Sequence, residues 1–427
     1  MIANLHHASP RLPGLLYPLA KMGWEITIVT APLGENAEAM LGFPPGFEQR
    51  VKIVIADYKG DIFWRLRSLL RSFGFTSTSS YTEQLKSRVG KAGGSYVDKL
   101  MRMYQTLFAI PDTEWTWHSA AYRAAAQLAQ SQNYDAILSS SPFPTVHFIA
   151  AKIKRKFSIP WIADFRDPWS QSHNYSLPKF RLLLDRWLEK RLIASADVIS
   201  TVSEGFSKKL KQLHGDKVIV IPNGYQEIDR RSPENLPQIL TFSYTGTIYS
   251  GKQDPYKILR ALRELLDEGT IVANRLVFNI YGRHDSELAQ AIDALELQSI
   301  VFQCGSRARS EIRDIQRNTH VLVLFQWEDL SESGIFPLKF YEYLEASRFI
   351  LATGGASLTE ISEILTMTAS GTVASNVNEI KAIISQLYQE FDETGHINYL
   401  GNREQISSYS YSASAEKLLK CLNGFQK

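Results

Sequence analysis

Residues 332–355 limit the possible folds more strongly than any other stretch of the chain. They predict a loop, a helix over 338–346 and then a short apolar strand. The apolar residues Leu338, Tyr341 and Leu344 recur at helical spacing, so one face of the helix is expected to be buried against a sheet. A loop, helix and strand of this kind is the repeating unit of a parallel α/β fold.

The same stretch brings together groups that suit a nucleotide sugar. Phe336, Pro337 and Leu338 lead straight into the helix, and the unpaired N–H groups of a first helical turn bind phosphate. Glu342 follows one turn later, where a carboxylate can accept hydrogen bonds from two hydroxyls of a ribose or sugar. An ordinary amphipathic helix with a solvated Glu342 explains the pattern equally well.

The helix also carries a family motif. The chain resembles GT-B glycosyltransferases grouped around glycosyltransferase family 4, whose Glu-x7-Glu signature has the variant Pro-x-Lys-aromatic-x-Glu-Tyr-Leu. The residues that fit this variant are Pro337, Lys339, Phe340, Glu342, Tyr343 and Leu344. The first Glu of the signature is missing, since Gly334 stands eight positions before Glu342 and Glu332 lies two residues away from that position.

The resemblance implies an α/β fold with two Rossmann-like domains that face each other across a cleft. A chain of 427 residues is also too long for one core. We expect an acceptor-binding domain at 1–225, a nucleotide-sugar-binding domain at 226–405, and a terminal helix at 406–427 that crosses back to the first domain.

The composition is that of a soluble globular protein, with 44% hydrophobic and 21% charged residues. Two cysteines, Cys304 and Cys421, exclude a disulfide framework and suit a reducing cytosol. No apolar run approaches the ~18 residues of a membrane span, and the N-terminus lacks a signal-peptide pattern. We therefore expect a cytoplasmic protein.

The charge is distributed unevenly. Residues 1–225 carry 28 Lys and Arg against 18 Asp and Glu, whereas residues 226–427 carry 19 against 26. Such an asymmetry suggests that the first half faces an anionic partner.

A basic amphipathic segment at 61–99 is one candidate for that contact. Arg65, Arg67 and Arg71 alternate there with tryptophan, phenylalanine and leucine, a pattern typical of binding to an anionic membrane surface. A helix that packs on its own domain with solvated arginines is the alternative. If the segment binds lipid, the protein is peripheral on the inner face of the cell membrane.

The chain opens as strand, loop, helix and strand, without the Gly-x-Gly-x-x-Gly of dinucleotide-binding dehydrogenases. We predict a loop over 9–14 and a helix over 15–22. In the GT-B resemblance, Pro13 and Gly14 would form the glycine-bearing loop on the acceptor side.

A second candidate site follows the predicted strand 159–163. Asp164 and Asp167 flank Arg166 at the carboxyl end of this strand, where open α/β sheets bind ligands. Many relatives place a His near the reacting sugar here, so the resemblance implies that Arg166 and Asp167 are the catalytic residues. A purely structural Arg–Asp ion pair is the alternative.

The second half repeats the arrangement of strand, glycine loop and helix, with Gly246 and Thr247 in the loop. Relatives often carry an Arg directly after this glycine and a Lys about five residues later, both of which neutralise the donor diphosphate. Lys252 fits the Lys, whereas Thr247 is uncharged. We expect Lys339 or Arg283 to supply the missing cation; a solvated loop lysine is the alternative for Lys252.

These observations predict a glycosyltransferase of surface polysaccharide biosynthesis that uses a nucleoside-diphosphate sugar, a glycan or lipid-linked acceptor, no cofactor and no nucleic acid. Retention at the anomeric carbon follows from the resemblance alone. The sequence has no Asp-x-Asp, so we expect no metal and a diphosphate stabilised by cationic side chains and helix dipoles. A transferase for a small soluble acceptor and a non-catalytic sugar-nucleotide-binding subunit are the alternatives.

Overall fold

The computed structural model describes residues 1–3, 10–32, 43–44, 46–58, 103, 106–172, 175, 177–227, 236–329, 334–355 and 359–425. The chain divides into two compact units, Met1–Pro222 with Ser414–Lys427, and Asn223–Ala413. This division does not test the domain limits that we expect after residues 225 and 405, which stay predictions.

The first unit contains a parallel sheet. Its strands are β1 (Ile26–Thr30), β2 (Val51–Ile55), β3 (Ile137–Ser140), β4 (Trp161–Phe165), β5 (Val198–Thr201) and β6 (Val218–Val220). Strand β1 pairs with β2, and β3 to β6 pair in sequence order. Ile2 bridges Val29 and Ser139, so it joins both sets of strands. The strand order therefore reverses at Ile2, as in a doubly wound fold.

Helices connect these strands. They are α1 (Arg11–Lys21), α2 (Phe47–Arg50), α3 (His118–Ser131), α4 (Thr145–Phe157), α5 (Lys179–Ile193) and α6 (Glu204–His214), with a 3-10 helix at Thr113–Trp117. Local sequence accounts for α6. Ser203 accepts a hydrogen bond from the N–H of Phe206 at its start, Phe206 and Leu210 are buried one turn apart, and Gly215 ends it at a φ of 77°.

The prediction of a loop over 9–14 is wrong from Arg11 onward. Helix α1 begins at Arg11, so Pro13 and Gly14 lie buried in its first turn. Proline fits there because the first four N–H groups of a helix need no partner within the helix. The N–H of Gly14 donates to the carbonyl of Pro10 at 2.9 Å, which closes that turn.

The second unit has a six-stranded parallel sheet in the order β12-β11-β10-β7-β8-β9. The strands are β7 (Leu240–Thr245), β8 (Leu276–Tyr281), β9 (Val301–Gln303), β10 (Val321–Phe325), β11 (Phe349–Thr353) and β12 (Gly371–Ala374). The order reverses between β7 and β10, and ligands bind beyond the carboxyl ends of the strands at such a reversal.

The helices of this unit are α7 (Tyr256–Asp267), α8 (Ser286–Ala294), α9 (Arg309–Arg317), α10 (Leu338–Ala346), α11 (Glu360–Thr368), α12 (Val377–Thr394) and α13 (Arg403–Ser407); α14 (Tyr411–Asn423) contains the limit between the units. The helix predicted over 338–346 coincides with α10. In β10, Val323 faces one apolar core and Leu324 the other. Both faces of the sheet are thus covered, as a parallel sheet requires.

Some predicted residues lie outside the described part of the chain. They are Arg65, Arg67 and Arg71 in the basic segment and Glu332 before the signature helix.

A buried histidine makes the first unit sensitive to acid. His147 of α4 is fully buried and its Nδ1 lies 2.8 Å from the Ser139 hydroxyl oxygen. Burial lowers the pKa of His147 from 6.5 to about 3, so the ring is neutral at pH 7. The unfolded chain therefore binds more protons than the folded chain between these two values. The stability that this difference contributes is present above pH 6.5 and is lost as the pH falls towards 3.

We predict that the variant His147→Gln loses less stability than the natural protein when the pH falls from about 7 to about 5, because glutamine does not titrate. The difference should approach ~1.4 kcal/mol for each pH unit below the ordinary histidine pKa. Urea unfolding followed by tryptophan fluorescence measures it. The exposed His284→Gln is the matched control. Parallel pH curves for His147→Gln and the natural protein would contradict the assignment.

Candidate functional site

The carboxyl edge of the second sheet brings two predicted motifs together. Strand β7 ends at Thr245 and continues into Gly246, and helix α10 begins after Pro337. Lys339, in the first turn of α10, donates from Nζ to the Tyr244 hydroxyl at 2.6 Å. The same amine lies 4.0 Å from the centre of the Tyr244 ring. Lys339 therefore joins α10 to the end of β7.

Two glycines at this edge are required by close approach. Gly246 has a φ of +124°, and a Cβ there would lie 2.6 Å from Lys339 Nζ. A Cβ on Gly282, which follows β8, would lie 2.2 Å from the carbonyl oxygen of Gly246. A Cβ on Gly282 would displace the backbone of the loop, whereas a Cβ on Gly246 would displace the flexible end of Lys339.

The positive charge of the Lys339 amine is destabilised by its surroundings. Lys339 is half-buried, and among the described residues no carboxylate forms an ion pair with it. Burial lowers the pKa of Lys339 from 10.5 to about 7, while the charge of Glu342 acts in the opposite direction. The amine also lies in the first turn of α10, where the helix dipole disfavours a second positive charge. An anion bound here would relieve both effects.

The start of α10 has no side-chain cap among the described residues, and the N–H of Phe340 donates to the carbonyl of Pro337 at 2.9 Å. Pro337 is the N-cap residue and gives no side-chain hydrogen bond to the first turn. The ring of Phe336 packs against Phe340, with centroids 5.9 Å apart, and fixes the entry of the chain into the helix. Leu338 is half-buried. Anion binding by the N-terminus of α10 stays a prediction.

Glu342 is held in place. Its Oε1 accepts from Arg309 Nη2 at 3.1 Å and its Oε2 from Gln316 Nε2 at 3.4 Å. Gln316 also donates to the Thr245 hydroxyl at 2.9 Å. Side chains of α9 therefore hold this partly exposed carboxylate beside the end of β7, and its role in donor binding stays a prediction.

The other predicted donor residues lie around this edge. The carbonyl of Thr247 accepts from the Tyr244 hydroxyl at 2.8 Å. Lys252 Nζ lies 4.9 Å from the centre of the Trp327 ring, in the segment that follows β10. Arg283 follows Gly282 and is exposed. The structure thus places Lys252 and Arg283 on two different segments that leave the carboxyl edge, and Lys339 is the cation that touches the glycine loop.

The candidate catalytic pair lies on the first unit. Arg166 Nε donates to the Asp167 carboxylate at 3.1 Å, and the two side chains are 26% and 37% exposed. A partly exposed ion pair contributes little to stability, so these side chains remain free to exchange partners. The structure thus shows the ion pair and leaves its catalytic role a prediction.

Asp164 has a structural role. Its carboxylate accepts from Arg11 at 2.8 and 3.2 Å and from the hydroxyls of Ser140 and Ser200 at 2.7 and 2.8 Å. Burial raises the pKa of Asp164, but the charge and hydrogen bonds of Arg11 outweigh burial and hold that pKa below its ordinary value. Arg11 also donates to the carbonyl of Ile221 at 2.8 Å. Four donors leave this carboxylate no capacity for a substrate.

We call the carboxyl ends of β7, β8 and β10, together with the start of α10, the donor edge, because the predicted donor residues lie there. Sequence reasoning missed the residues that position Lys339 and Glu342 at this edge. Tyr244, Arg309 and Gln316 hold Lys339 and Glu342 in place. Arg309 opens α9 directly after the loop that follows β9, and this position was the only available signal. Arg11 was missed because its partner Asp164 lies 153 residues away.

Comparison with known proteins agrees with this geometry. Residues 96–227 match the model of Glycosyltransferase Family 4. HepE from Anabaena in complex with UDP has a similar structure, with a TM-score of 0.62 at 12% identity over 99% of both chains. Sucrose-phosphate synthase from Thermosynechococcus elongatus gives 0.58 at 13% identity, over 99% of this chain and 98% of that chain.

The apo form of the lipopolysaccharide outer core galactosyltransferase WaaB gives a TM-score of 0.53 at 10% identity over 98% of both chains. No protein of curated function matches the sequence significantly. The shared fold confirms the expected fold class: the chain has an α/β fold similar to that of GT-B glycosyltransferases, and residues 96–227 match Glycosyltransferase Family 4.

We predict that Gly246→Ala lowers the free energy of unfolding by about 1–3 kcal/mol more than Gly251→Ala does. Gly251 has a φ of +74° and a Cβ there meets nothing within 4 Å. Gly246 has a φ of +124°, which lies farther from the left-handed region open to other residues, and a Cβ there meets the end of the Lys339 side chain. Thermal unfolding of the two variants measures the difference. In the double variant Gly246→Ala/Lys339→Ala the part of the loss due to Lys339 should disappear, while the part due to the backbone should remain. Equal losses at positions 246 and 251 would contradict the prediction.

Proposed function

We propose that the protein transfers a sugar from a nucleoside-diphosphate sugar to a glycan or lipid-linked acceptor in surface polysaccharide biosynthesis. The half-buried amine of Lys339, which has no carboxylate partner among the described residues and lies beside Gly246 at the start of α10, is the observation that carries this proposal. A cation in this position needs an anion, and a diphosphate supplies one.

The donor edge has groups for each part of such a substrate. Lys339 and the first amides of α10 would bind the phosphate next to Gly246, and Lys252 and Arg283 would add charge from two neighbouring segments. When the donor binds, Glu342 would lose its hydrogen bond from Gln316 or Arg309 and would accept hydrogen bonds from the hydroxyls of the ribose instead. HepE binds UDP and UDP-glucose in its structures, which supports this donor class.

Sugar transfer requires stabilisation of the leaving group, which is the nucleoside diphosphate. When the bond between the anomeric carbon and the diphosphate breaks, negative charge develops on the departing phosphate oxygen. Lys339 and the α10 dipole would stabilise this charge and cost no rearrangement during the step. We therefore propose that the transfer needs no metal. We also propose that it retains the anomeric configuration, on the basis of the family resemblance.

On the first unit, we assign the catalytic role to Arg166 and Asp167. A partly exposed ion pair at the carboxyl end of β4 can open, and each partner can then contact a sugar or an acceptor hydroxyl. Asp164 is excluded from this role because its carboxylate is occupied by Arg11, Ser140 and Ser200.

The proposal of a lipid-linked acceptor rests on the positive charge of the first half of the chain. The basic first half, together with Arg65, Arg67 and Arg71, suits an acceptor at the anionic inner face of the cell membrane. In the described part of the chain, no helix is long and apolar enough to cross a membrane. A cytoplasmic, peripheral enzyme fits both observations.

A second candidate is a subunit that binds the donor without transferring it. Gly334 stands where the signature has its first Glu, and its φ of 89° is a conformation that favours glycine. Thr247 likewise replaces a cation. Calorimetry against a panel of nucleoside-diphosphate sugars, followed by a donor-hydrolysis and transfer assay, separates the candidates. Binding without turnover would favour the subunit, and transfer to a small soluble acceptor would replace the lipid-linked one.

We predict that the affinity for UDP-glucose falls as the pH rises from about 7 to about 8.5, by up to about tenfold per pH unit. The diphosphate raises the pKa of Lys339 from its value of about 7, so binding takes up a proton that becomes scarcer at high pH. Calorimetry in two buffers of different ionisation enthalpy measures this uptake.

The matched variants are Lys339→Met and Lys252→Met. Both should weaken binding by about tenfold or more, since each removes a charge-assisted contact with phosphate. Lys339→Met should also abolish the proton uptake, whereas Lys252→Met should retain it. If Lys339→Met binds with the natural affinity and the same proton uptake, the phosphate lies elsewhere.

We predict that Asp167→Asn and Arg166→Gln each lower the turnover of the donor about a hundredfold while the Kd for the donor changes less than about twofold. The donor identified by calorimetry is the substrate, and release of the nucleoside diphosphate is the signal. Asp135→Asn, an exposed carboxylate of the same unit, is the control. Natural turnover in both variants would show that the ion pair is only structural.

A further inference from the structure

Helix α5 of the first unit has its charged residues inside and its large apolar residues outside. Arg181, Asp185 and Glu189 are buried, with at most 1% exposure. Phe180, Leu183, Leu184 and Trp187 are exposed by 58%, 69%, 37% and 56%. This is the reverse of the pattern expected for a helix at the surface of a globular protein.

The buried face explains why the helix cannot turn over. Arg181 donates to Asp185 at 2.8 Å and to the carbonyls of Ala109 and Pro111 at 2.9 and 3.1 Å. Glu189 accepts from the N–H of Ser170 at 2.9 Å and lies 3.0 Å from His214 Nε2. Rotating α5 to bury its apolar side would leave these charges without their partners, at a large cost.

The exposed apolar residues form one stripe. Their spacing of three, one and three residues places all four within an arc of about 100° on a helix of 3.6 residues per turn. We call these four residues the α5 face.

The exposed charges of helix α5 itself have one sign. The exposed charged residues of α5 are Lys179, Arg186, Lys190 and Arg191, and both of its acidic residues are buried. The guanidinium of Arg191 lies 5.6 Å from the centre of the Trp187 ring. Helix α4, which packs against α5, adds Lys152, Arg155 and Lys156 as exposed residues, and the nearby carboxylate of Asp197 is paired with Lys154.

We propose that the α5 face is a docking surface for the interface of an anionic phospholipid bilayer. Tryptophan, phenylalanine and leucine enter the boundary between headgroups and acyl chains, and lysine and arginine beside them bind anionic headgroups. A second copy of the chain fits less well, because an isologous contact would place this basic rim against itself. The basic segment at 61–99 is also disfavoured as the partner of the α5 face, because its net charge has the same sign as the exposed charges of α5.

This proposal does not rest on the donor site, and it concerns residues other than Arg65, Arg67 and Arg71. It gives the first unit a defined surface that faces lipid, which a lipid-linked acceptor would require. Binding of the nucleotide sugar should be unaffected by changes on the α5 face, so the two proposals can fail separately.

The test is flotation of the full chain with vesicles of neutral phosphatidylcholine and with vesicles that contain about a third phosphatidylglycerol. The natural protein should bind the anionic vesicles, and high salt should weaken this binding. The variant Phe180→Ser/Leu183→Ser/Trp187→Ser should lose about tenfold or more in apparent affinity. The control is Val272→Ser/Phe302→Ser/Met367→Ser, which removes apolar residues of 51%, 42% and 49% exposure from the second unit and should bind normally.

A second variant tests the charge: Lys179→Gln/Arg186→Gln/Lys190→Gln/Arg191→Gln should bind anionic vesicles weakly and lose most of the salt dependence. Thermal unfolding and UDP-glucose binding of every variant should match the natural protein. Trp187→Phe should remove part of the blue shift of tryptophan fluorescence that vesicles cause.

Five results would overturn the proposal, four of them from measurements of vesicle binding and oligomeric state. These four are absence of vesicle binding by the natural protein, natural binding by the serine variant, conversion of a dimer to a monomer by that variant, and loss of binding in Arg65→Gln/Arg67→Gln/Arg71→Gln when the α5 variants bind normally. A large fall in the unfolding temperature of the serine variant would also overturn it, since the stripe would then be covered by the chain itself.

Discussion

The donor edge of the second unit depends on the contact between Lys339 and the end of β7. The amine reaches the Tyr244 hydroxyl at 2.6 Å only because residue 246 has no side chain, and Gly282 in turn leaves room for the carbonyl of Gly246. Burial and the dipole of α10 both disfavour the charge on this amine. The electrostatics of this edge therefore follow from where the helix begins.

Parallel sheets explain why this contact is possible. In a doubly wound sheet the strand order reverses at one point, and the segments that follow the two strands there diverge and leave a crevice. In the second unit this point lies between β7 and β10. Gly246 follows the first strand, and Lys252 approaches Trp327 after the second. Residues from distant parts of the sequence are thus collected at one edge by the topology alone.

The interior of the first unit is unusually polar. Asp164 with Arg11, Asp185 with Arg181, and Glu189 with His214 are buried pairs whose remaining hydrogen-bonding groups are largely satisfied by nearby backbone and hydroxyls. Buried pairs of this kind give little net stability, but removing one partner is costly. These pairs fix the rotation of α1 and α5 about their own helix axes. For α5, this rotation places apolar side chains in solvent.

Local patterns in the sequence determined the alternation of strands and helices, the extent of α10 and the candidate donor residues, because periodicity and turn chemistry act over a few residues. They misassigned Pro13 and Gly14, since proline is compatible with both a loop and a first helical turn. Only the tertiary structure decided that Asp164 is occupied by Arg11, that Glu342 is held by Arg309, and that α5 exposes Leu183 and Trp187. These outcomes depend on partners far away in the chain, and no local pattern records which distant residue will satisfy a buried charge.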